Sequence, residues 1–149
     1  MKRGLMFVVL VALVGCSSGG SGSQDQSTAT VVVSAMTPVA GSELQQSSVV
    51  EATVAFTIDK FRSQGDTYYL VVEYGDTSGG TLERNHHLPE HPILTAPQGS
   101  VVLSVALSKV WGNPKLKKPI TVWFEIVERV GPNDSVVIGR SAPIAYAAK

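Results

Sequence analysis

Val49-Val50-Glu51-Ala52-Thr53-Val54-Ala55-Phe56-Thr57-Ile58-Asp59 decides the fold. Val50, Ala52, Val54, Phe56 and Ile58 form one wholly apolar set, and Glu51, Thr53, Thr57 and Asp59 fall on the other. That is a period of two, the repeat of a strand with one face buried, and not the 3.6 of a helix. The same alternation returns along the chain. Tyr68, Leu70, Val72 and Tyr74 oppose Tyr69, Val71 and Glu73. Val101, Leu103, Val105 and Leu107 face away from Ser104 and Ser108, and Ile120, Val122, Phe124 and Ile126 oppose Thr121, Trp123 and Glu125.

An opening strand is expected over 30–35, before Pro38 and Gly41, with one or two short strands between Thr81 and Thr95. The run 135–146 contains Gly139 and Pro143, which predicts a bulged or edge strand. Gly75-Asp76-Thr77-Ser78-Gly79-Gly80 and Gly131-Pro132-Asn133-Asp134 supply the residues that tight turns need. From Cys16 onward Val, Ile and Thr number 18, 6 and 10 against 8 Leu, which favours sheet over helix. About seven strands in a single antiparallel two-sheet sandwich is the economical all-β architecture, with a jelly roll or small barrel as the alternative. The segment Thr37-Pro38-Val39-Ala40-Gly41-Ser42-Glu43-Leu44, running into the strand at Val49, resembles the A–B corner of bacterial immunoglobulin-like and fibronectin type III-like modules. The resemblance spans 30–146, without the cysteine pair or the strand-F corner tyrosine of antibody domains.

Ahead of that domain the chain has a different character. Lys2 and Arg3 precede an uncharged apolar stretch from Leu5 to Val14. As a helix this stretch with Gly15 is about 16 Å long, too short for a hydrocarbon core of roughly 30 Å. It is the pattern of a secretory signal. The stretch ends in Leu13-Val14-Gly15-Cys16, which resembles the lipobox of bacterial lipoproteins. The resemblance implies a diacylglyceryl thioether on Cys16, cleavage after Gly15 and acylation of the new amine. It further implies a location in the bacterial cell envelope, with Ser17 favouring the outer membrane if the cell has two.

Residues 1–15 then form the signal peptide, 16–29 the lipidated cysteine with a flexible tether, and 30–149 the sandwich. The tether SSGGSGSQDQSTA has no large apolar group and cannot order itself. Its typical reach is roughly 20 Å.

Composition narrows the function. The mature chain carries 10 basic and 12 acidic residues, so it has no footprint for nucleic acid. Cys16 is the only cysteine, and once it is lipidated the folded body has no disulfide, no thiolate metal knuckle and no thiol nucleophile. No Gly-x-Ser-x-Gly elbow and no glycine-rich phosphate loop occur. Glu125 and Glu128 lie three apart on one strand, on opposite faces, and cannot work as a carboxylate pair.

The reading is a non-enzymatic binding or structural module that needs no cofactor. Its membrane contact is the lipid on Cys16, and its partner is an envelope protein or a cell-wall polymer. The alternative is a small envelope metal-binding protein. His86, His87 and His91 all fall within Glu83-Arg84-Asn85-His86-His87-Leu88-Pro89-Glu90-His91-Pro92, and imidazoles with carboxylates suit Zn²⁺ or Cu²⁺. Pro89 and Pro92 prevent a helix from presenting His87 and His91 together. Two surface features remain. Lys115-Leu116-Lys117-Lys118 follows Trp111 as a basic loop, and Trp123 and Tyr69 on the outer faces would mark a binding surface if both are exposed and adjacent.

Overall fold

A computed structural model describes residues 26–63, 67–76, 91–116 and 118–148. The decisive stretch is a strand over the expected residues, Val49–Asp59. Val50, Ala52, Val54, Phe56 and Ile58 are all buried. In chain order the strands are β1 (Thr28–Thr37), β2 (Glu43–Leu44), β3 (Val49–Asp59), β4 (Thr67–Asp76) and β5 (Ile93–Leu94). They continue with β6 (Gln98–Ala106), β7 (Ile120–Arg129), β8 (Ser135–Arg140) and β9 (Ile144–Ala148). The one helical element among the described residues is a single 3₁₀ turn, Leu107–Lys109.

The strands form two sheets. One has the order β1-β3-β6; the other runs β2-β9-β7-β4-β5, with β8 also paired to β7. The fold is an all-β two-sheet sandwich with the second sheet curled. Among the described residues pairing is antiparallel except between β2 and β9, which run parallel. That exception has a clear cause. The chain leaves the first sheet at Thr37, turns through Gly41 at a φ of 81°, and joins the second sheet's edge as β2. The turn is fastened by Gly41 N–H donating to the Ala145 carbonyl at 2.9 Å and by the Tyr146 hydroxyl donating to the Pro38 carbonyl at 2.7 Å.

Between the sheets lies one apolar core. It takes Val50, Val54 and Phe56 from β3, Leu70 and Val72 from β4, and Ile120, Val122, Phe124 and Ile126 from β7. The predicted inner face of β6 holds for Val105, which is buried, and for Val101 and Leu103, packed partly against the core; Leu107, expected on the same strand, is buried instead as the first residue of the 3₁₀ turn.

The opening strand starts at Thr28, two residues earlier than its pattern suggested, and Ser27 before it is buried. The run containing Gly139 and Pro143 is broken into β8 and β9, with a register shift opposite Ile126 and Val127, as predicted of a bulge; β9 itself lies between β7 and β2. Ser141 bridges the interruption. Its N–H donates to the Phe124 carbonyl at 2.8 Å and its hydroxyl accepts from Phe124 N–H at 3.0 Å. Gly139 is required where the two sheets touch, since a Cβ there would stand 2.3 Å from the Ala29 carbonyl oxygen.

Gly131 to Asp134 makes the predicted β7–β8 turn, closed by Val130 N–H donating to the Asp134 carbonyl at 3.0 Å. Of the other predicted turn, Gly75 and Asp76 belong to β4 instead. Its remaining residues, 77–80, lie outside the described residues.

Candidate functional site

The outer face of the second sheet, where β4, β7 and β8 run side by side, concentrates the domain's polar chemistry. Register brings Val71 opposite Glu125, Glu73 opposite Trp123, and Glu125 opposite Arg140. Outward positions on a sandwich are normally wet. Here Val71, Glu73, Trp123, Glu125 and Val127 are all at least 93% buried.

Trp123 is therefore covered, at 4% exposure, and is not the open binding residue that its alternation suggested. Tyr69, opposite Val127 and two cross-strand rows from Trp123 on this face, is half-buried and not adjacent to it.

Glu125 organises this face. Its Oε1 accepts from Trp123 Nε1 at 3.0 Å and from Arg140 Nε at 2.7 Å, and Arg140's terminal nitrogen pairs with it at 2.5 Å. The guanidinium also lies over the Trp123 ring, 5.4 Å from its centroid. Arg140 keeps about half of its side chain in water (53%), so it closes the face while staying partly solvated. The indole and the guanidinium together hold this carboxylate in place. On the core side of β4, the Tyr74 hydroxyl is buried without a hydrogen-bond partner among the described residues. Burial, and then the Glu73 carboxylate, raise its pKa well above the ordinary value. Burial also raises that of Tyr146.

Three positions along β7, on the core side, sits a second buried carboxylate. Glu128 is fully buried. Its Oε1 pairs with Arg62 and accepts from the Tyr68 hydroxyl at 3.3 Å and the Ser27 hydroxyl at 3.4 Å. Phe61 stacks on Tyr68 with centroids 5.0 Å apart. Glu125 and Glu128 thus lie on opposite faces, as their spacing requires. Ser27 and Arg62 gave no sequence signal of this role, since each serves a partner far away in the chain. Glu128 did give one, because it continues the Ile120 to Ile126 parity into the core.

The remaining candidates separate. His91 lines a cleft of about 420 Å³ with Tyr69, Arg129 and the Asn133–Asp134 turn. His86 and His87 lie outside the described residues, as does Cys16. Among the described residues no group of three His, Cys, Asp or Glu is arranged to hold a metal. The basic loop is anchored by buried Leu116, and Lys118 Nζ stands 4.1 Å from the Trp111 ring centroid. Lys117 lies outside the described residues.

Compared with known proteins, the chain matches no family model and no curated protein.

Proposed function

We propose that this chain is a bacterial envelope lipoprotein, anchored through an acylated Cys16, whose immunoglobulin-like sandwich is a non-enzymatic binding or structural module. The observation that carries the reading is Leu13-Val14-Gly15-Cys16 at the end of a short, positively flanked apolar stretch, in a chain with no other cysteine. Two or three acyl chains on one residue hold far more firmly than a single chain, each buried methylene contributing about 0.8 kcal/mol. The polar tether that follows joins the body where Ser27 is seated on Glu128. Tethering of this kind raises the local concentration of a binding surface near the membrane.

The test is metabolic labelling with an alkyne fatty acid, followed by coupling to a fluorophore. Wild-type chain takes up label and migrates as the shorter, processed form. Cys16→Ala takes up none and keeps residues 1–15. A processed, unlabelled wild-type chain refutes the proposal.

A further inference from the structure

The two sheets touch at Ala29 and Gly139 and part further along β1. Between β1 and the start of β9 they leave an open groove of about 480 Å³, lined by Val31, Val33, Met36, Val39, Ala142 and Ile144 among others. No charged residue lines it, and Ser34 is its one polar residue. Val33, Met36 and Ile144 are core-packing side chains only partly covered, and Val32 and Val39 on the rim are 53% and 69% exposed.

β1 ends its sheet, and among the described residues no strand pairs with its outer edge. Its ten residues, TATVVVSAMT, include no charge and no proline, two of the features that usually keep an edge from pairing. A register shift between Val33 and Ala35 leaves Ser34 as the extra residue, its hydroxyl donating to the Thr53 carbonyl at 3.2 Å.

We infer that this groove is a strand-addition site. A partner protein supplies an extended, uncharged segment that hydrogen-bonds to the outer edge of β1 and lowers alternate small apolar side chains between the sheets. The occupant follows from what the other occupants lack. Residues 17–25, SSGGSGSQD, adjoin β1 in the chain but have no apolar side chain to fill such a groove. In a second copy, Val31 and Val33 of the approaching β1 are already packed against that copy's own core. A neutral lining disfavours a charged segment, which would lose its hydration without gaining a partner. This gives a contact surface to the binding module proposed above and rests on that reading.

The experiment uses the full mature chain in detergent and an eight-residue peptide of alternating Val and Thr as the probe, with a Lys-for-Val peptide as its control. Amide hydrogen exchange is followed by mass spectrometry. At saturation the Val/Thr peptide slows exchange in residues 30–36 at least tenfold, and the Lys peptide does not. Ala142→Glu and Ala40→Glu, at exposed positions lining the groove, weaken binding at least tenfold. Val102→Glu, on the opposite edge strand, leaves binding unchanged. No protection at the highest soluble peptide concentration, protection located elsewhere, or equal binding by Ala142→Glu overturns the inference. So does a dimer in which residues 30–36 are protected without peptide, which would make a second copy the occupant. Peptide binding does not depend on acylation of Cys16, so failure here and failure of the anchor are separate results.

Discussion

The two sheets of this sandwich solve the same problem differently. In the β1-β3-β6 sheet, inward residues are apolar and outward ones meet water; Val32 and Val102 stay 53% and 63% exposed. In the second sheet both faces of β7 are buried, and every residue from Ile120 to Glu128 is covered. The first sheet rests on one buried face. The second also buries Val127, and with it Trp123, Glu73 and Glu125, whose polar atoms require partners. Stability should therefore be concentrated in outward positions of the second sheet and nearly absent from those of the first.

The largest expected effect comes from Trp123→Ala. It removes a buried indole and one donor to Glu125, and should cost about 3–5 kcal/mol. The shift in the urea midpoint measures this, and a loss below about 1 kcal/mol would erase the contrast between the sheets. Arg140→Ala comes next. It leaves Glu125 buried without the Arg140 guanidinium, and should cost about 2 kcal/mol, less than the 3–5 typical of a fully buried pair because half of Arg140 is already in water. Arg140→Lys should recover only part of that, since an ammonium cannot both fork onto the carboxylate and lie flat on the indole.

A smaller effect should appear with pH. Tyr74 on β4 and Tyr146 on β9 both belong to the second sheet, and both have a pKa raised by burial. In the unfolded chain a tyrosine loses its proton near pH 10, while the folded protein retains it. The stabilisation is full below pH 10 and falls as pH rises towards the folded pKa, by up to about 1.4 kcal/mol per pH unit for Tyr74, with a smaller share from Tyr146. Urea midpoints between pH 8 and 11.5 should be level at first and then decline; a flat profile would contradict this environment for Tyr74. The smallest effect belongs to the first sheet. Val102→Thr should change stability by less than about 0.5 kcal/mol, read from the same urea midpoint.

The same contrast explains what could be read in advance. Val49–Asp59 announced itself because one face is apolar and the other polar, so its alternation and its burial coincide. The break in the last strand was legible as well, since Pro143 fixes its φ and has no N–H to pair, and a glycine within a strand marks a bulge or a close approach. β7 was legible only as a strand. Glu125 and Trp123 look like solvent-facing residues until Arg140, fifteen positions on, is known to cross them. Ser27 and Arg62 were hidden for the same reason, for they meet Glu128 across 101 and 66 residues of chain. Local periodicity reports which face a side chain takes; it does not report what lies over that face.

The central claim is that a thiol-free sandwich hangs from a membrane by a modified Cys16. Intact-mass spectrometry of the chain purified from membranes tests it most directly. The account predicts a polypeptide starting at Cys16 whose mass exceeds the bare sequence by a diacylglyceryl group, with or without a third acyl chain. A chain starting at Cys16 with an unmodified thiol, or one processed at any other residue, would contradict it.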